Sequence, residues 1–213
     1  MLQLAIFTFN DFYENTYVLY DESRECVIVD PGCNTTEERR RLKEFIDQKH
    51  LNPVALLNTH CHIDHVLGNW FVAETYGLPL QAHSGEVPVL EACSLVAEMY
   101  RINYIPSPPV SIYLAERDIV SFGNSQLQVY FTPGHSPASI VFFNAENKIL
   151  IGGDVLFEGS IGRTDLPGGD FDTLINSIKS KIFPLGDDVV VYPGHGNSTT
   201  IGEEKRSNPF LIN

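Results

Sequence analysis

The chain has 213 residues, of which 43% are hydrophobic and 19% are charged, so it can build a folded core and is not a disordered segment. Its 27 acidic residues outnumber its 14 basic ones, giving a formal net charge of −13. Binding to nucleic acid relies on basic patches that neutralise phosphates, so this composition argues against a nucleic-acid partner.

The N-terminus and the cysteines bear on where the protein works. No apolar run reaches the ~20 residues of a membrane helix, and the first ten residues lack the basic start of an export signal. The four cysteines form no CxxC pair and suggest no disulfide framework. We therefore expect a single cytoplasmic domain over residues 1–213, without a membrane partner. The oligomeric state is left open.

The first third of the chain alternates strand and helix patterns. Residues 2–9, 16–20 and 26–29 are strand-like, and a polar turn at 21–23 suggests an antiparallel start. Thr35 or Thr36 then caps a helix to about residue 50 that buries Leu42, Phe45 and Ile46. A short buried strand follows at 54–57. This strand–helix–strand order predicts a layered α/β architecture.

The rest of the chain repeats these patterns. Helices are predicted at 68–78, 85–101 with an interruption near Pro88, 171–183 and 202–207. Strands are predicted at 80–82, 119–122, 126–131, 139–143, 148–151 and 189–192. The proline-rich stretch 103–110 is expected to cross the surface near the site, where Tyr100 and Tyr104 line the substrate channel.

A cluster of potential metal ligands follows the strand at 54–57. His60, His62, Asp64 and His65 lie within six residues, and imidazole and carboxylate groups are typical ligands of zinc, iron or manganese. A tight loop at a strand end can turn neighbouring side chains towards a common point. His60 and His62 can then meet one metal ion while Asp64 and His65 face a second.

Three further candidates stand in the same context. His135, Asp154 and His195 each come directly after a predicted strand, and each has a glycine beside it. Ligands at the ends of several strands converge on one edge of a sheet, where open α/β folds place their sites. One histidine after a strand is usually a surface or core residue, but seven such residues in this pattern predict a metal site.

The pattern resembles the metallo-β-lactamase superfamily over almost the whole chain. The resemblance implies an α/β fold, the αββα sandwich of two mixed β-sheets flanked by helices. It also implies two divalent metal ions, with zinc as the default and iron or manganese as alternatives. Metal 1 would be held by His60, His62 and His135, and metal 2 by Asp64, His65 and His195. Asp154 would bridge the two ions.

Within that superfamily the chain looks most like glyoxalase II-like hydrolases. The segments at 15–19, 153–157, 159–165 and 204–210 carry this likeness. It implies a small-molecule thioester substrate such as S-lactoylglutathione, with Asp64 and Asp154 as catalytic residues and Arg163 near the substrate. Full-length glyoxalase II adds a helical domain that binds glutathione, and this chain is expected to lack it. Lys205 or Arg206 would partly compensate.

The resemblance implies hydrolysis by hydroxide formed from a water shared between the two ions. A thiolate, with a pKa of about 8.5, departs without a strong general acid. The alternatives are an iron-dependent persulfide dioxygenase using His60, His135 and Asp154, a lactone or other ester hydrolase, and a non-catalytic metal-binding protein. Ser136 either caps a turn or supports the ligands by hydrogen bonding.

Overall fold

Two six-stranded β-sheets face each other in the computed structural model, which describes residues 1–212. The strands of the first sheet lie side by side in chain order. They are β1 (Gln3–Phe9), β2 (Glu14–Tyr20), β3 (Glu25–Val29), β4 (Asn52–Leu57), β5 (Leu80–Ala82) and β6 (Val110–Tyr113). The first three pair antiparallel, as predicted, and β3 to β6 pair parallel. The sheet is therefore mixed.

The second sheet is also mixed. Its strands are β7 (Ile119–Phe122), β8 (Ser125–Phe131), β9 (Ile140–Asn144), β10 (Ile149–Gly153), β13 (Val190–Pro193) and β14 (Thr199–Thr200). They lie in the order β14-β13-β10-β9-β8-β7, and only β10 and β13 pair parallel. Between β10 and β13, β11 (Leu156–Phe157) and β12 (Ser160–Ile161) form a small hairpin.

Six α-helices accompany the sheets. They are α1 (Thr36–Lys49), α2 (Ile63–Val66), α3 (Asn69–Tyr76), α4 (Val87–Tyr100), α5 (Phe171–Ser177) and α6 (Ile201–Ser207). No helix within residues 1–212 is long and apolar enough to cross a membrane.

Successive side chains along the strands point to opposite faces of each sheet, and apolar side chains form three separate layers. Leu19 and Val27 point into the space between the sheets, where they belong to one cluster with Phe142 of the second sheet. Their neighbours Val18 and Ile28 point the other way and pack with residues of α1, α3 and α4. A third cluster lies between the second sheet and α5 and α6. The four-layer αββα sandwich is thereby confirmed.

The first helix shows how local sequence sets an element. The Thr35 side chain accepts from the Glu38 backbone N–H, and the Glu38 carboxylate accepts from the Thr35 N–H in return. The helix buries Leu42 and Ile46, as predicted, and ends where His50 adopts a left-handed φ of 53°.

Three predicted elements differ from the structure. Pro88 does not interrupt a helix: a 3₁₀ turn at Ser84–Glu86 precedes α4, and the proline lies in the first turn of α4, where its missing N–H has no helical partner to lose. The stretch predicted to be irregular to residue 110 ends in β6. This strand forms by pairing with β5, and the local sequence pattern did not predict it. The helix predicted at 171–183 is α-helical only to Ser177 and continues as a π-turn and a 3₁₀ turn.

Candidate metal centre

All seven predicted site residues lie on loops that follow strands at one end of the sandwich. They are His60 and His62 after β4, Asp64 and His65 in the short helix α2, His135 after β8, Asp154 after β10 and His195 after β13. The two sheets therefore contribute to one cluster.

Three groups of three potential ligands occur among the described residues, and one of them joins Asp30 to His60 and His65. The other two lie within the seven-residue cluster. The donor atoms of His60, His62 and His135 lie within 4.8 Å of one another. The donor atoms of Asp64, His65 and His195 satisfy the same limit. These are the two sets that the family resemblance implies. Their role as metal ligands stays a prediction.

Asp154 lies between the two groups. Its Oδ2 is 3.5 Å from His135 Nε2 in the first group and 3.5 Å from His195 Nε2 in the second. Its Oδ1 is 3.4 Å from His65 Nε2. A single carboxylate that reaches both groups is placed to bridge two ions.

Hydrogen bonds orient the histidine rings. His135 Nδ1 lies 2.7 Å from the carbonyl oxygen of Arg163, and His195 Nδ1 lies 3.0 Å from that of Phe12. A carbonyl oxygen only accepts, so both Nδ1 atoms donate, and in the neutral rings it is Nε2 that carries the lone pair a metal ion would bind. His62 is turned the other way, with its Nδ1 2.9 Å from His135 Nε2.

Asp30 orients the remaining two rings. Its Oδ2 is 3.2 Å from His65 Nδ1 and accepts from the Thr59 hydroxyl at 2.5 Å. With its one proton directed to Asp30, the Thr59 oxygen accepts from His60 Nδ1 at 3.1 Å. Asp30 thus fixes the tautomers of His60 and His65, leaving both Nε2 atoms available to a metal ion.

Asp30 was not among the predicted site residues. A signal was nevertheless present, because Asp30 follows β3 and stands in an Asp-Pro-Gly sequence. The same pairing of a strand end with Pro-Gly marks His135 and His195. A search for metal-binding residue types at strand ends beside Pro-Gly would therefore also have selected Asp30.

The charges of the cluster favour a cation. Burial and the neighbouring His65 ring lower the pKa of His60 well below its usual range, and burial lowers the pKa of His62 to about 4. Burial also opposes a charge on His65, but the carboxylates of Asp64 and Asp154 outweigh it and raise its pKa well above the usual value. The surroundings of His65 Nε2 are therefore strongly attractive to positive charge.

The donor set fits a metal ion. His60 Nε2, His65 Nε2 and Asp154 Oδ1 are buried and make no hydrogen bond within residues 1–212. Buried polar atoms that make no hydrogen bond are costly, so these atoms, which come from both donor groups and from the carboxylate between them, favour a bound group. Imidazole nitrogens and carboxylate oxygens are the ligands that zinc and iron accept.

A buried glutamate packs behind the second group. Glu14 is fully buried, its Oε2 accepts from the Thr16 hydroxyl at 2.9 Å, and burial raises its pKa well above the usual value. Gly32 makes room for it, because a Cβ there would overlap Glu14 Oε2 and lie 2.7 Å from the Asp64 carbonyl oxygen.

The rim of the site is partly aromatic. The Phe12 and Tyr100 rings meet edge to face at 6.0 Å, and the Phe12 carbonyl already contacts His195. A cleft of about 300 Å³ is lined by His195 together with Phe157, Glu158, Gly196 and Asn197. Phe12 thus connects Tyr100 to the cluster, and the place of Tyr100 in a substrate channel stays a prediction.

The predicted basic residues occupy two different places. Arg163 is exposed at the rim, where its backbone holds His135 and its guanidinium pairs with Asp165 at 2.7 Å. Lys205 instead pairs with Asp187, and Arg206 pairs with Glu203 at 2.7 Å. Among the contacts of residues 1–212, none joins Lys205 or Arg206 to the seven-residue cluster.

Known proteins are similar to this chain in sequence and in architecture. A family model described as the Metallo-beta-lactamase superfamily matches residues 10–195. The hydroxyacylglutathione hydrolase GloC of Haemophilus influenzae is 37% identical over 216 residues, covering 99% of this chain and 98% of the relative.

Solved structures of related proteins have the same fold. The B3 metallo-beta-lactamase BLEG-1 superposes with a TM-score of 0.91 at 35% identity, covering 99% of this chain and 100% of the other. The protein TTHA1623 in a di-iron-bound form gives a TM-score of 0.87 at 36% identity, covering 97% and 100%.

Proposed function

The chain belongs to the metallo-beta-lactamase superfamily, and from that premise we propose that it is a binuclear metal-dependent thioesterase acting on hydroxyacyl thioesters such as S-lactoylglutathione. The observation that carries the proposal is that three buried donor atoms of the cluster, His60 Nε2, His65 Nε2 and Asp154 Oδ1, make no hydrogen bond within residues 1–212. Full-length likeness to a hydroxyacylglutathione hydrolase supports the substrate class.

Each donor group would hold one ion. His60, His62 and His135 would hold the first and Asp64, His65 and His195 the second, with Asp154 reaching both. When bound, such ions lower the pKa of a water towards ~7 and polarise the acyl carbonyl. Zinc is the proposed metal, because hydrolysis needs no redox change. The di-iron form of TTHA1623 makes iron the first alternative, and manganese suits the same donors.

The carboxylates orient the attacking water. Asp64 Oδ2 is 3.1 Å from His195 Nε2, and Asp154 Oδ2 is 3.5 Å from the same nitrogen. Both acceptors face the middle of the cluster, where they can direct one lone pair of the water at the acyl carbon. We therefore assign the catalytic role to Asp64 and Asp154.

The rim holds the substrate. Phe12 and Tyr100 offer an apolar edge, and Arg163 offers an exposed cation for a carboxylate of the thiol moiety. Arg163 must exchange its present partner Asp165 for the substrate, which limits the gain in affinity. The departing thiolate needs no strong acid, and this suits a cluster whose titratable side chains hold the ions.

The test is thiol release from S-lactoylglutathione by purified protein loaded with zinc or with iron, with His60→Ala as the control. Metal-dependent release that the His60→Ala variant loses would support the thioesterase. Protein that holds its metals but releases no thiol would refute it. In that case, oxygen uptake with glutathione persulfide would identify a dioxygenase, and ring opening of a β-lactam or lactone would identify a different hydrolase.

A further inference from the structure

A fully buried carboxylate outside the ligand set connects the two loops of the first donor group. Glu86 ends the 3₁₀ turn before α4 and is 0% exposed. We propose that Glu86 is a positioning residue that sets the separation of the loops bearing His60, His62 and His135, and thereby the affinity of this group for its metal ion.

The carboxylate receives hydrogen bonds from both loops. From the first loop, the Cys61 backbone N–H donates to Oε2 at 2.8 Å. From the second, the Ala138 N–H donates to Oε1 at 2.8 Å, and the Ser136 hydroxyl lies 2.7 and 2.8 Å from the two oxygens. Every one of these groups is a donor, so both oxygens of Glu86 act as acceptors.

These contacts lie next to the ligands in the chain. Cys61 stands between His60 and His62, and Ser136 follows His135. The loops themselves come from different sheets, after β4 and after β8, and a further link is the Ile140 N–H donating to the Thr59 carbonyl at 2.8 Å.

Close packing supports the same role. A Cβ on Gly85 would lie 2.6 Å from Ala138 Cβ, so the turn approaches the second loop as closely as only glycine allows. His83 Nδ1 caps this turn by accepting from the Gly85 N–H at 3.1 Å. The position of Glu86 is therefore set by its own turn, and it can impose that position on the loops.

An amide cannot replace this carboxylate. Glutamine would keep one acceptor oxygen and turn its NH₂ group towards either the Cys61 or the Ala138 backbone N–H. Two donors would then face each other in a buried place, and the loop on that side would move away. His62 Nδ1 and His135 Nε2, now 2.9 Å apart across the two loops, would separate.

The test compares Glu86→Gln with a matched control, Glu204→Gln. Glu204 is also 0% exposed and also accepts from three donors, the Gly159 N–H, the Thr199 hydroxyl and the Asn208 amide. None of these three residues adjoins His60, His62 or His135 in the chain. Glu204 thus matches Glu86 in burial and in the number of donors, but its Oε1 faces only the Thr199 hydroxyl, which can turn to accept, and it holds neither loop of the first donor group.

The measurement is zinc affinity by competition with a chromophoric chelator, with Asp64→Ala and His195→Ala in every variant, so that two of the three residues of the second donor group are removed and the first group is the measured site. Glu86→Gln is expected to weaken binding about 10–100-fold, and Glu204→Gln to leave it unchanged even where both lower Tm. Cobalt absorption should change in shape for Glu86→Gln alone, because the ligand geometry changes.

Unchanged affinity for Glu86→Gln, or equal losses in both variants, would overturn the proposal. If Glu86→Gln does not fold, Ser136→Ala decides instead, because it removes only the shared hydroxyl. A weaker but measurable loss of zinc affinity then supports the role, and wild-type affinity refutes it. The inference rests on the proposed metal centre, and its readout does not involve any substrate, so failure of the thioesterase assay leaves it standing.

Discussion

Replacing Asp30 by asparagine should lower the affinity for metal ions although no ligand residue is changed. The amide side chain would keep an oxygen at Oδ1, which accepts from the Thr59 N–H at 2.7 Å and from the Asn58 amide at 3.2 Å. An NH₂ group would replace Oδ2, the atom that faces the Thr59 hydroxyl and His65 Nδ1. The partners on the Oδ2 side would have to become acceptors.

That reversal changes two tautomers. With an amide donating to it, His65 Nδ1 accepts and the ring proton moves to Nε2. The Thr59 hydroxyl is freed to donate to His60 Nδ1, which moves the proton of His60 to Nε2 as well. A protonated nitrogen cannot bind a metal ion, so each donor group loses one ligand atom unless the ring reverts.

The expected loss is about 10–100-fold in affinity for each ion, equivalent to about 1.4–2.8 kcal/mol. Chelator competition with zinc measures it. Asp21→Asn is the matched control: Asp21 is 3% exposed and accepts four hydrogen bonds, from Ser23, Asn124 and Ser125, at the far turn between β2 and β3. Wild-type zinc affinity in Asp30→Asn, or the same loss in both variants, would refute the tautomer argument.

Three further predictions concern stability. Hydrogen bonds outweigh burial and lower the pKa of Asp21 to about 2. The ionised carboxylate therefore stabilises the folded protein above the usual pKa near 4, and this contribution is lost as pH falls towards 2. Acid unfolding of Asp21→Asn, followed by circular dichroism, should depend less on pH in that window. Gly32→Ala forces a Cβ against Glu14 and should lower Tm by several degrees in a thermal melt, whereas an unchanged Tm would contradict the packing. Thr35→Ala removes one half of the pair with Glu38 and should cost about 1 kcal/mol in urea unfolding, with no effect on zinc affinity.

Local sequence determined much of the fold. The capping box at Thr35 and Glu38 and the spacing of Leu42 and Ile46 define α1 through contacts within a few residues. The edge strand β6 escaped prediction because its four residues depend on pairing with β5, which is distant in the chain. Periodicity reports which face of an element is buried, and it carries little information on a short strand that only a neighbour stabilises.

The seven candidate ligands were also accessible from sequence, since each is a metal-binding residue type placed just after a strand, and strands of one sheet direct their ends to a common edge. The residues that orient those ligands were not identified from sequence. Asp30 reaches His65 across 35 positions, and Glu86 reaches Ser136 across 50. Asp30 shares with the ligands only its place after a strand beside Pro-Gly, and Glu86 shares neither feature. Residue type and strand order determined which atoms could bind a metal ion, whereas only the packing of the two sheets decided which carboxylates orient them, because hydrogen bonds depend on distances that the fold alone sets.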